Sequence, residues 1–350
     1  MNYEKQLDPQ VREKMRKNLV YVGIFSIVML FAGFTSAYIV MMGDSFWLKY
    51  PMPNGFWLSS ITIAASSLTF VLAIRSAKKD QQGKLKAFMS LTVLLGILFV
   101  FFQFLGYKEL VNEGINPVNN HIIVTDGRYG DYFEVRYKGN LIQVDGNKFM
   151  IKGKELSDKE FSEYQSFMKQ FERVKQNKPL TLSNDNKNFE LVFESQPVLI
   201  KNKRLFKNDS TALDFVDEMR LSFLALHAKD KRGDFFIRGE MGKDFHLYYK
   251  SKELNYKDRS FYVEEKKLEP YLQIKAMETA DTASSFLYLI SVLHVLHILV
   301  ALIYLIRLTI HSFSGRFNSS ENLSLRVGGI FWHFLGLLWA YLLLFLIFIH

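Results

Sequence analysis

Long runs without a single Asp, Glu, Lys or Arg alternate along this chain with strongly polar stretches. Five such runs occur: Asn18 to Gly43, Tyr50 to Ile74, Ala87 to Tyr107, Thr282 to Ile306 and Val327 to His350. Each is long enough for an apolar helix of roughly 20 residues, the length that crosses a hydrocarbon core about 30 Å thick. The pattern predicts five membrane helices. The first run is longer than the roughly 7–15 residues of a signal-peptide core, and a charged leader precedes it, so it is read as a retained span.

Between the third and fourth runs the pattern changes. From Asn112 to Ala280 the chain is hydrophilic and about the size of one domain. Asp131–Asp145 reads as strand, turn, strand, with EVRY and LIQV flanking Lys138-Gly139-Asn140, and a second turn at Asp145-Gly146-Asn147 leads into KFMIKG. Ser157-Asp158-Lys159-Glu160 fits a capping box, followed by Phe161, Tyr164, Met168 and Phe171 at helical spacing. Phe189–Phe193 and Val198–Ile200 read as further strands, and Thr211–Ala228 as a second amphipathic helix. The expected fold is an all-α polytopic bundle of five transmembrane helices with an inserted α+β soluble domain. Its expected parts are a leader (1–17), helices one to three (18–111), the inserted domain (112–280) and helices four and five (281–350).

Mean hydropathy, +0.02, averages these unlike parts and hides both. Charge is more informative. Lys5, Arg12, Lys14, Arg16 and Lys17 precede the first span; Arg75, Lys78, Lys79, Lys84 and Lys86 follow the second; Arg307, Arg316 and Arg326 follow the fourth. The loop between spans one and two has only Lys49. Positive-inside logic then puts the N-terminus in the cytoplasm, and the C-terminus and the inserted domain outside a plasma (inner) membrane. The net charge of +9 lies largely beside spans, so it speaks for topology and not for nucleic acid. The absence of cysteine excludes thiolate metal sites, Fe–S clusters, nucleophilic Cys and disulfides.

No phosphate loop, zinc-protease helix or calcium loop occurs in the inserted domain. His227 and His246 stand alone there, and Asp214, Asp217 and Glu218 are expected on a solvated helix face. In the first span Ala32-Gly33 and Ser36-Ala37 lie four apart, a spacing that lets helices approach closely; Ser66-Ser67-Leu68-Thr69 and Leu94-Leu95-Gly96 suit packing between spans two and three. Spans four and five carry histidine: His294 and His297, three apart and so on one helix face, and His333 beside Trp332 with Trp339 two turns on. Intramembrane histidine is a functional hypothesis by default. Haem or metal ligation needs further ligands facing these rings, and interhelical hydrogen bonds or a partner subunit account for them more simply.

SVLHVLHILVALIYLIR, Ser291 to Arg307, resembles the helix of cytochrome c oxidase subunit III that carries paired histidines. FWHFLGLLW, Phe331 to Trp339, resembles the final-helix YWHFVDVVW signature of that family, and MLFAGFTSAY, Met29 to Tyr38, resembles its early FFAG-type helix. FWLSSITIAASSLTF and LTVLLGILFVFFQFLGYKEL resemble the two helices between. Order and spacing agree over about half the chain, essentially all the spans, and the likeness is to the five-span form.

That resemblance implies a non-catalytic subunit III of a haem-copper terminal oxidase, packed on subunits I and II and supporting proton uptake. It carries no cofactor of its own: haem and copper belong to the partner subunits, and phospholipid fills a cleft. Arg307 falls where the family has a basic residue that contacts lipid phosphate, and His294, His297, Trp332, His333 and Trp339 are the motif residues of helix packing. Three positions depart from the pattern. Ile27 stands in place of an early carboxylate, Gly336 in place of the aspartate after the tryptophan motif, and Arg326 in place of a glutamate. These changes remove a simple proton relay, and the large insertion is a fourth departure. The electron donor, cytochrome c or quinol, is not legible here, so a quinol oxidase or nitric oxide reductase-like complex fits the same motifs. A membrane-anchored sensor would need an output domain beyond a leader of about 17 residues. A transporter would favour repeated spans or intramembrane charge.

Overall fold

A computed structural model of the chain describes residues 8–123, 132–172, 188–201, 204–208 and 210–349. Asp131, expected to open a strand, lies outside these, as do Lys5 and His350.

In chain order the elements are α1 (Pro9–Asp44), β1 (Phe46–Lys49), α2 (Asn54–Lys78), α3 (Gln82–Asn112), β2 (Phe133–Tyr137), β3 (Asn140–Asp145), β4 (Lys148–Ile151), β5 (Lys154–Glu155), α4 (Asp158–Met168), β6 (Phe189–Phe193), β7 (Gln196–Pro197), β8 (Leu199–Lys201), β9 (Arg204–Phe206), α5 (Phe215–Lys229), β10 (His246–Tyr249), β11 (Lys252–Lys257), β12 (Ser260–Val263), β13 (Lys266–Lys267), α6 (Pro270–Met277), α7 (Thr282–Phe313) and α8 (Leu323–Phe348). They form two compact units: 1–43, 51–112 and 283–350, and 44–50 with 113–282.

The first unit holds α1, α2, α3, α7 and α8, each long and apolar enough to cross a membrane. Large apolar side chains remain exposed along them, such as Leu19, Phe25 and Val40 of α1, a surface that hydrocarbon tolerates and water does not. The helices outrun the uncharged windows. α2 ends at Lys78 and α3 starts at Gln82, so Arg75, Lys78, Lys84 and Lys86 are helical, because Lys and Arg are good helix formers whose charged heads reach outward from long stems. This turn docks on the α7–α8 connection: Gln82 Nε2 donates to the Phe317 carbonyl at 2.7 Å and the Ser319 N–H donates to Asp80 Oδ1 at 2.7 Å.

α2 and α3 pack through glycine. A Cβ on Gly55 would lie 2.4 Å from the Gly106 nitrogen, and one on Gly106 would lie 2.6 Å from the Phe56 ring. Ser66 Oγ donates to the Thr92 carbonyl at 3.2 Å and Thr69 and Thr92 share a hydroxyl bond at 2.8 Å, as the Ser/Thr content of these spans suggests. The small residues of α1 behave differently. Ala32, Gly33, Ser36 and Ala37 are exposed, a Cβ on Gly33 meets nothing within 4 Å, and α1 buries Phe31, Thr35 and Tyr38 instead. Within this chain large side chains, not small ones, make the α1 contacts.

The second unit is built twice on one plan. Of its two larger sheets, one has the order β5-β4-β3-β2-β6-β7 and the other β1-β10-β11-β12-β13, while β8 and β9 form a separate two-stranded sheet. YKGNLIQVDGNKFMIKGKEL, from Tyr137, and YKSKELNYKDRSFYVEEKKL, from Tyr249, align without a gap. Ladder pairs correspond: Tyr137↔Asn140 with Tyr249↔Lys252, Arg136↔Leu141 with Tyr248↔Glu253. The outer neighbours correspond as well. Phe189 of β6 lies against Tyr137 with ring centroids 4.8 Å apart, and Phe46 of β1 stacks on Tyr249 at 4.6 Å. Lys138–Gly139 and Lys250–Ser251 both take positive φ, the turn geometry that matches the twist of a two-residue hairpin. α4 follows the first meander and α6 the second. β1, which belongs to the connection between two spans, therefore completes a sheet of this unit.

α4 carries the expected capping box, with Ser157 and Glu160 bonded reciprocally, and packs with α5 over a core that includes Phe133, Val135, Tyr164, Phe171, Leu221 and Leu224. α5 begins at Phe215, capped by Asp214, and not at Thr211. Asp217 is not on a solvated face: it is 3 % exposed, paired with Lys207 at 2.5 Å and Arg220 at 3.4 Å. A buried carboxylate needs such partners, and Lys207, at the end of the β9 hairpin, is distant enough in sequence to be invisible to helix periodicity.

Candidate functional site

The motif residues of α7 and α8 converge inside the first unit. Trp332 Nε1–H donates to Ser66 Oγ at 3.1 Å, Trp339 Nε1–H donates to Ser60 Oγ at 2.8 Å, and His333 Nδ1 bonds with Ser67 Oγ. From Trp332 to Trp339 along α8 the partner falls from Ser66 to Ser60 along α2, so the helices run antiparallel with indole and imidazole nitrogens set against a serine row. Seven residues separate the tryptophans, two turns that return both to one face of α8, and their partners Ser66 and Ser60 lie six apart on α2. The row continues to α3, since the Ser66 hydroxyl donates a hydrogen bond to the Thr92 carbonyl. Gly96 makes room: a Cβ there would sit 2.9 Å from both Trp332 and Leu302.

His294 is fully buried. Its ring stacks on Trp339 with centroids 5.4 Å apart and meets the edges of Phe99 at 6.0 Å and Phe31 at 6.4 Å. Neither ring nitrogen has a hydrogen-bond partner among the described residues. His297, on the same face as expected, bonds through Nδ1 to the Leu293 carbonyl of its own helix at 2.7 Å and lies 5.9 Å from Phe31. The three span histidines thus have three surroundings: an aromatic cage, an intrahelical bond and an interhelical bond. Among the described residues no three His, Asp, Glu or Cys side chains gather as metal ligands would.

Two polar features of this unit were not read from the sequence. Gln103 of α3 is wholly buried and donates to Ser59 Oγ at 2.8 Å; an inventory restricted to charged residues passes over it. Arg326 reaches Glu13 of α1 through both terminal nitrogens, at 2.5 and 3.2 Å, and Lys17 joins Glu13 at 2.6 Å. Arg326 thereby has a carboxylate partner on another helix. Arg307 is exposed near the end of α7.

In the second unit His227 is buried with its ring edge toward Phe236 at 5.8 Å, and His246 pairs with Glu253 at 2.5 Å. The group that stands out is Asp234, wholly buried. It accepts from Tyr256 Oη at 3.2 Å and lies 3.4 Å from Arg259. Burial pushes its carboxyl up to about 7, against the opposing pull of Arg259, and Tyr256 is raised as well, by burial first. The signal was faint, a lone aspartate after a glycine.

Comparison of the chain with protein-family models, with curated proteins and with solved structures finds no match in any of the three.

Proposed function

We propose that this chain is a non-catalytic subunit III of a haem-copper terminal oxidase. The supporting observation is the use made of the motif shared with that family: Trp332, His333 and Trp339 bond to Ser66, Ser67 and Ser60, and His294 is packed between aromatic rings. These residues are committed to holding helices together, the task of a subunit whose redox centres lie elsewhere. In this reading subunits I and II carry haem and copper. The N-terminus faces the cytoplasm, and the inserted unit lies outside and packs on neighbouring extracytoplasmic surface. Arg307 holds an anionic lipid phosphate at the cytoplasmic interface, where a guanidinium can bind it bidentately.

The test is purification of the tagged chain from its native membrane in mild detergent. A haem-containing partner of fixed stoichiometry, with oxygen reduction, is expected. A chain that purifies alone, or with partners lacking haem, overturns the reading. Arg307→Ala should lower retained phospholipid and speed the loss of activity during turnover, leaving the initial rate nearly unchanged.

A further inference from the structure

The two meanders of the inserted unit differ at one place. In the second, the β10–β11 ladder runs through Leu247↔Leu254. In the first, β2 and β3 pair at Tyr137↔Asn140 and Arg136↔Leu141, and the ladder stops before Val135 and Ile142, the positions equivalent to that third pair. A cavity of about 450 Å³ opens there. It is lined by consecutive residues, 133–135 of β2 and 141–145 of β3. Side chains alternate across a strand, so a lining by consecutive residues is the mark of an exposed backbone edge.

Strand parity says which backbone groups face the gap. Backbone groups of an antiparallel strand point alternately to its two neighbours. Glu194 N–H donates to the Tyr132 carbonyl and Lys138 N–H to the Asn188 carbonyl, so even-numbered residues of β2 face β6. Phe133 and Val135 then direct their N–H and C=O groups into the cavity. On β3, Asp145 pairs with Lys148 across a two-residue turn, so odd-numbered residues face β4, and Ile142 and Val144 face the cavity from the other side. Among the described residues no ladder pair joins Phe133 or Val135 to Ile142 or Val144, and these edges carry donors and acceptors at strand spacing, about 10 Å of edge for three residues.

The lining is acidic. Glu134, Asp145, Asp234 and Asp258 contribute carboxylates against a single guanidinium, Arg259, which is itself engaged with Asp234. Asp145 Oδ1 is buried without a hydrogen-bond partner among the described residues.

We propose that the gap between β2 and β3 is a docking slot for an extended, cationic segment of a partner polypeptide, which adds as a strand and brings Lys or Arg to Glu134 and Asp145. Main-chain bonds to both edges supply affinity, and the carboxylates select for positive charge, the division of labour usual in strand addition. The slot needs only a partner polypeptide and stands independently of the oxidase reading.

The full chain in nanodiscs of zwitterionic lipid tests this with a fluorescent, end-blocked Lys-Val-Lys-Val-Lys peptide read by anisotropy against empty discs. Saturable binding is expected. Loss of the slot's hydrogen bonds, by N-methylation of alternate peptide nitrogens, should weaken binding about tenfold or more, as should Asp145→Asn or a Glu-Val peptide of the same length. Val144→Pro removes one slot-facing N–H without touching the β3–β4 ladder and should act like N-methylation. If the N-methylated peptide binds as well as the parent, or spermidine displaces it at equal concentration, the site holds cations without adding a strand and the proposal fails. Absence of saturable binding overturns it too.

Discussion

The indole N–H of Trp339 donates to Ser60 Oγ at 2.8 Å while its ring lies flat against His294 at a centroid separation of 5.4 Å. One side chain thus joins α2, α7 and α8, by a directional bond on one helix and by stacking on another. In hydrocarbon the bond has no water to compete with it. Its strength is still modest, because an unfolded chain in the membrane finds other polar partners.

Trp339→Phe and Ser60→Ala should each destabilise the bundle by about 1 kcal/mol, and the double variant should cost clearly less than the sum. A steric-trapping or denaturant titration in bicelles gives the three values and hence the coupling. Additive costs would mean that the two groups do not meet.

Gly106 faces the Phe56 ring at a distance that leaves no room for a side chain. Gly106→Val should therefore force α2 and α3 apart and cost about 1–3 kcal/mol, the usual penalty of overpacking. Gly83, whose Cβ would meet nothing within 4 Å, supplies the control: Gly83→Ala should leave the thermal midpoint unchanged or raised. Equal behaviour of the two variants would refute the close crossing.

Asp234 titrates near 7 in the folded protein because burial penalises its charged form, whereas an unfolded aspartate titrates near 3.9. The folded state therefore keeps a proton that the unfolded state releases. The associated stability is fully present below about pH 4 and is lost as pH rises through about 7. Heating scans of the inserted unit's transition at stepped pH should show a falling midpoint across that window, and Asp234→Asn should flatten the fall. The same slope in the variant would assign it to another group.

β1 pairs with β10 along its whole length, and Phe46, Trp47 and Leu48 are buried. Replacing residues 113–281 with a short linker should strand this apolar segment and yield aggregated protein on size exclusion. Exchanging residues 45–50 for a polar linker as well should restore a monodisperse bundle. If the single deletion is already monodisperse, β1 does not depend on the inserted unit.

The sequence alone determined the elements whose signals are local. Five apolar windows announced five long helices, since the length of a span is set by the hydrocarbon it crosses. Gly-bearing turns between alternating strands announced the first meander, and Ser157 with Glu160 announced α4, because turn and cap chemistry act within four residues. The face shared by His294 and His297 followed from helical period alone. Only the tertiary structure decided which groups meet. Ser60, Ser66 and Ser67 became partners of Trp339, Trp332 and His333 because α2 and α8 pack antiparallel in register, and no spacing within either helix encodes the other. Asp217 passed from an expected solvated face to a buried ion pair with Lys207, ten positions away, and α1 turned its small residues outward while Phe31, Thr35 and Tyr38 met residues of α7 and α8 hundreds of positions away. β1 looked like a loop because four residues between spans carry no period of their own; they became a strand only where β10 offered an edge. Local chemistry writes the element, and the partner across the interface decides which of its faces is buried.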